Sequence, residues 1–255
     1  MTIADKLTTI AENQQKVYDA GVTKGQSMGG YEEGYTAGQQ AEYDRFWDAY
    51  QMNGTRVSCQ YAFAGVGWKT DNFKPKYSII PTNGAHMFNN FSGSRNGSDI
   101  DYENGIDLDK VFTNRGLTLD FHKCTDFTSM FFQAHIRAIG TIDMTACTNA
   151  SLIAGVFNTE FLYTIRNLIP PNLEMKNTCW QVRLRDLTIG GTITKNMNLS
   201  RCDKLTDASV QSVIDNLADL TGQTTQTLTF HATVGGKLTD AQKAAITAKN
   251  WTLAY

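Results

Sequence analysis

At 255 residues the chain can hold one large domain or a small module beside a medium one, and its 41% hydrophobic and 19% charged content suits a chain that buries a core. Lys+Arg 23 against Asp+Glu 25 gives a net charge of −2, which excludes a basic field for nucleic acid or anionic lipid. Four prolines and 21 glycines argue against a disordered or collagenous chain.

The start, Met1-Thr2-Ile3-Ala4-Asp5-Lys6-Leu7, lacks the basic opening and unbroken apolar run of a secretory signal, and no later stretch approaches a membrane span, so no membrane insertion is expected. The five cysteines (Cys59, Cys124, Cys147, Cys179 and Cys202) are an odd number with no C-x-x-C pair. They read as reduced thiols of a protein folded in a cytosol. A phage component also folds in the host cytoplasm and leaves by lysis, so that reading is compatible with a virion as final address.

Residues 1–52 read as a helical oligomerisation stem. Ile3, Leu7, Ile10, Gln14 and Val17, followed by Gly21, are spaced 4-3-4-3-4, the seam of a coiled coil. Gln14 is the polar insertion that fixes register and copy number, and Ile3 and Ile10 alternating with Leu7 favour a homotrimer over a dimer. The alternative is an amphipathic helix lying on its own domain. Gly21, Gly25 and Gly29, then Gly30, Gly34 and Gly38, fit a close-packed helical face or a flexible linker equally. Tyr43, Phe46, Trp47 and Tyr50 then fall on one face of a helix, as core.

Residues 53–115 read as an irregular junction with short strands at Val57 to Phe63 and Tyr77 to Ile80. Asp99 to Gly105 resembles an EF-hand loop only in outline, because the glycine comes one position late and Lys110 stands where the bidentate glutamate belongs.

Residues 116–205 carry a repeat. Leu119-Asp120-Phe121-His122-Lys123-Cys124, Ile142-Asp143-Met144-Thr145-Ala146-Cys147 and Met197-Asn198-Leu199-Ser200-Arg201-Cys202 share the pattern apolar-x-apolar-x-x-Cys. Cys124 and Cys147 are 23 residues apart, within the 20–29 residue period of leucine-rich repeats. The expected repeat core is Leu119, Phe121, Cys124, Ile142, Met144, Cys147, Leu199 and Cys202: an alternating apolar pair forms a short strand, and a small cysteine fits the turn after it. Met130 and Phe131, then Leu152 and Phe157, should cover the other side of each coil. Between Cys147 and Cys202 the pattern degenerates, with strand signal at Ile165 to Ile169 and at Leu184, Leu187, Ile189 and Ile193, interrupted by Pro170-Pro171. About four or five coils are expected.

The stretch Cys124-Thr125-Asp126-Phe127-Thr128-Ser129-Met130-Phe131 resembles the irregular leucine-rich repeats of bacterial BspA-type surface proteins. The start Met1 to Leu7, the block Glu42-Tyr43-Asp44-Arg45-Phe46-Trp47-Asp48 and the ending Lys237-Leu238-Thr239-Asp240-Ala241-Gln242-Lys243 resemble tail or appendage proteins of gut-bacterial phages. The resemblance implies a leucine-rich-repeat-like fold with a structural or adhesive role, and it carries over no functional residue.

Residues 206–255 read as a C-terminal α/β cap. Thr206-Asp207 opens a helix with Val210, Val213, Ile214 and Leu217 on one face; Thr227 to His231 is a strand; Thr239-Asp240 opens a second helix, Ala241 to Lys249; and Trp251 to Tyr255 closes as a strand. The predicted class is therefore α+β: a coiled-coil-like helical stem, a short irregular leucine-rich-repeat-like β-solenoid and an α/β cap.

His86, His122, His135 and His231 form no zinc spacing, and there is no G-x-S-x-G, phosphate-binding Gly-Lys loop or dinucleotide fingerprint. Asp120, His122 and Cys124 alternate as a nucleophile set would, but cysteine repeats in the pattern where histidine does not, which points to a packing role. The expectation is a non-enzymatic phage virion protein of the tail or appendage, with receptor binding as an attached role and no catalytic residue, cofactor or metal. Its partners would be its own copies, other virion proteins and a host surface glycan or protein, not nucleic acid. A bacterial leucine-rich-repeat surface adhesin or interaction module is the first alternative. A carbohydrate-active depolymerase, which needs only two isolated carboxylates, is the second.

Overall fold

The structure is a computed structural model that describes residues 59, 62–63, 75–91, 105–159, 161–180 and 183–255. The chain divides between residues 53 and 54, and everything described belongs to the second unit, 54–255.

Two parallel sheets organise these residues. The first has the order β1 (Ile106–Asp107), β2 (Ile136–Asp143), β3 (Thr164–Ile169), β4 (Asp186–Ile189), and the second has the order β5 (Met197–Leu199), β6 (Gln226–Phe230), β7 (Trp251–Ala254). Four α-helices accompany them among the described residues: α1 (Leu108–Thr113), α2 (Asp207–Asp215), α3 (Ala232–Gly235) and α4 (Asp240–Ala248). Ala138 pairs with Thr164 and Thr164 with Asp186, steps of 26 and 22 residues; Gln226 pairs with Trp251, a step of 25. Parallel pairing requires a crossover of a dozen residues or more, so each step leaves room for the chain to travel out and back. The inward ladder is apolar at each level: Ile139 on Ile165 on Leu187, then Ile142 on Leu168 on Ile189, all buried. Burying that ladder is the main gain that offsets the ordering of long connections.

The far side of these crossovers is held by a second backbone ladder without named strands. Gly84, His86, Phe88 and Asn90 donate their N–H groups to Asp126, Thr128, Met130 and Phe132 at 2.8–2.9 Å. Phe127, Ser129, Phe131 and Gln133 do the same to Leu152, Ala154, Val156 and Asn158 at 2.7–3.1 Å. Left-handed residues recur at matching levels of the arcs: His86 (φ 55°), Ser129 (φ 48°) and Gly155 (φ 66°) at one, Asn90 (φ 53°) and Gln133 (φ 53°) at the next. The register stacks one large ring per arc into a spine, Phe63, Phe88, Phe131, Phe157 and Trp180, with centroids 5.3, 5.5, 6.2 and 5.2 Å apart and planes within 26°. Every ring of the spine is buried, and offset stacking adds to the area each removes from water.

The expected α+β architecture is corrected. Strands run parallel in both sheets with helices between them, which is an α/β fold. The expected helical stem, with Ile3, Leu7, Ile10, Gln14 and Val17, lies outside the described residues. The three sequence copies read as a leucine-rich-repeat-like solenoid do not stack as one set of strands: Leu119 makes an isolated bridge to Ile79, Ile142 lies in the four-stranded sheet, and Leu199 lies in the three-stranded one. The first sheet ends because α2 takes the place of a further strand. Ser209 Oγ accepts from Leu187 N at 2.8 Å and Ser212 Oγ accepts from Ile189 N at 2.9 Å, so helix hydroxyls satisfy the donors along the β4 edge.

Candidate functional site

Of the expected repeat core, Phe121, Cys124, Ile142, Met144, Cys147, Leu199 and Cys202 are buried, whereas Leu119 is half-buried. The shared pattern encodes a turn. Asp120, Asp143 and Asn198 each accept the backbone N–H two residues on through Oδ1 at 2.9–3.0 Å, and Cys124, Cys147 and Cys202 each donate N–H to the carbonyl three residues back. All five cysteines are free thiols and buried. Burial pushes the Cys124 thiol up to about 12, and its Sγ donates to the Asp126 carbonyl at 3.3 Å rather than facing His122. A thiolate nucleophile there is disfavoured on both counts. The histidines serve local structure. His122 Nδ1 lies 2.7 Å from Asp120, His231 accepts the Thr233 N–H at the start of α3, His86 pairs with Asn89, and His135 packs on Phe161.

A recess lies elsewhere, where two strand starts meet the first turns of two helices. It is a groove of about 960 Å³, at the upper end of the range for small-molecule sites. Backbone bonds fix its wall: Arg185 N and Asp186 N both donate to the Tyr163 carbonyl, at 2.9 and 3.0 Å, and Thr206 N donates to the Arg185 carbonyl at 3.0 Å. Arg183 Nη1 reaches the Tyr163 hydroxyl at 3.4 Å. Lys204 enters from the turn after β5 and Lys237 from the link between α3 and α4, while buried Leu205, Val210, Val234 and Leu238 form the floor. Four cationic side chains and two carboxylates, Asp203 and Asp207, give this lining a local charge of +2 in a chain whose total is −2.

Two helix starts adjoin the groove. The α2 and α4 helices, each nine residues long, both begin at it, which brings two positive dipole ends to its edge, with Asp207 and Asp240 in their first turns. Thr206 and Thr239 cap these starts, and Thr239 with Gln242 forms a reciprocal capping box. Within the lining, Asp203 Oδ2 pairs with Lys204 Nζ at 2.9 Å, while Asp203 Oδ1 is buried and accepts no hydrogen bond.

No family model, curated protein or solved structure matches the chain.

None of the groove's charged residues belongs to the expected site. Sequence reading found the two helix starts, but Tyr163, Arg183, Arg185, Lys204 and Lys237 are scattered in sequence. The one legible signal is the closely spaced pair Arg183 and Arg185 immediately before a strand. Among the described residues no group of His, Cys, Asp and Glu could hold a metal ion, and no helix is long and apolar enough to cross a membrane.

Proposed function

We propose that this protein is a non-enzymatic component of a phage virion, in the tail or an appendage, that attaches to the host surface and assembles with its own copies and other virion proteins. The observation that carries the attachment role is the groove: a ligand-sized, cation-lined recess held in place by backbone ladders rather than by a mobile loop. Rigid placement of polar groups reduces the ordering cost of binding. The virion assignment rests on the resemblance of the opening, middle and closing segments to phage appendage proteins. The buried thiols and structurally engaged histidines favour recognition over nucleophilic catalysis.

The test combines location and attachment. Antibody raised against the full chain should label purified virions and should block their adsorption to host cells. Virions that carry no labelled protein would overturn the reading. One observation favours a second reading: Asp203 and Asp207 place two carboxylates in the groove wall, the residue types a glycan depolymerase uses. Release of reducing ends from host polysaccharide, abolished by Asp203→Asn or Asp207→Asn, would establish that enzyme instead.

A further inference from the structure

The groove sorts its ligands by chemistry. A purely apolar ligand would cover Arg185 and Lys237 without offering them a counter-charge, and burying charge without a partner is costly. A small bare anion would satisfy those cations but would meet the Asp203 and Asp207 carboxylates, and it would bring no hydroxyl donor for the exposed Asp207. Single-stranded nucleic acid needs several aromatic platforms along a basic track, whereas this lining has one aromatic ring, Tyr163. A ligand that carries both anionic groups and hydroxyl donors answers every feature of the wall.

We propose, resting on the recognition reading above, that the groove binds an acidic carbohydrate: an oligosaccharide bearing carboxylate, sulfate or phosphate groups. Arg185, Lys204 and Lys237 take its charge. The exposed Asp207 carboxylate accepts a sugar hydroxyl, and Tyr163 offers its ring to an apolar sugar face. Arg185, Lys204 and Lys237 are exposed, so they can be changed without opening the core. Charge reversal at these positions reports on binding rather than folding.

The experiment is calorimetric titration of the full chain with four probes: oligogalacturonate, a sulfated oligosaccharide, a phosphorylated oligosaccharide and neutral maltotriose. At least one acidic probe should bind while maltotriose does not, with affinity falling as salt is raised. Which acidic probe binds best identifies the anionic group. Arg185→Glu and Lys237→Glu should each weaken binding by about tenfold or more, with circular dichroism and melting temperature unchanged. The proposal is overturned if no acidic probe binds, if both variants bind as the parent does, or if a single-stranded oligonucleotide binds more tightly than every saccharide. Labelled full chain applied to host cells separates the two levels. Cell binding without acidic-saccharide binding removes this inference and leaves the recognition reading, whereas saccharide binding without any cell binding removes the recognition reading.

Discussion

Cys202 shows what a single position contributes. It has no exposed surface, and burial, with the neighbouring Asp203 carboxylate second, pushes its thiol from an ordinary 9.0 up to about 12. Cys59 and Cys124 are pushed up to about 12 and Cys179 to about 11, each chiefly by burial. A group whose folded value is raised holds its proton more tightly in the native state. Its stabilisation is therefore complete below pH 9 and is lost as pH rises toward the folded value. Between about pH 9 and 11, unfolding free energy should fall by about 1.4 kcal/mol per pH unit for each such thiol. Denaturant titrations at several pH values would measure the slope, and Cys202→Ala should flatten it. A pH-independent stability over that window would contradict this account. At neutral pH a thiol-reactive dye should label no cysteine in the native chain and all five in guanidinium.

At the scale of elements, the joint between β4 and α2 and the aromatic spine carry separate loads. Ser209 is 3% exposed, and its Oγ accepts from Leu187 N while donating to the Arg185 carbonyl at 2.9 Å. Ser209→Ala leaves a buried N–H without its acceptor and should cost about 1–3 kcal/mol in denaturant unfolding. Ser209→Thr, which keeps the hydroxyl, should recover part of that loss; equal destabilisation by both would show that packing, not the hydrogen bond, matters there. Phe131 stacks between Phe88 and Phe157 and touches Phe121 edge-on at 6.5 Å. Phe131→Ala should cost about 3–5 kcal/mol through lost burial and the cavity it leaves. A loss under about 1 kcal/mol would mean the spine tolerates a gap.

For the whole molecule, the division between residues 53 and 54 frames the assembly question. The heptad spacing of Ile3, Leu7, Ile10 and Val17 falls before it, and the parallel sheets fall after it. Light scattering of the full chain beside a chain starting at Gly54 should give an oligomer, a trimer by the seam, for the first and a monomer for the second. The same copy number for both would move assembly out of residues 1–53. In that event the α/β unit itself would supply the contacts.

The features legible in the chain alone were local. The caps at Thr206 and Thr239, the apolar face of Val210, Val213 and Ile214, and the turns ending in Cys124, Cys147 and Cys202 each depend on neighbours within a few residues. Strand segments at Ile165–Ile169 and near Leu187 were legible because apolar runs flanked by turn residues signal buried strands. The partition into two sheets was not legible, because a strand's partners lie 21 to 31 residues away and the shared cysteine pattern does not encode which sheet receives it. The spine was hidden for the same reason: Phe88 and Phe131 are 43 residues apart, whereas Phe131 and Phe157 are 26 apart, so no fixed period reveals them. The groove needed tertiary structure most of all. Its cations come from three separate segments, and their charges act together only when backbone bonds between distant strands bring them around one recess.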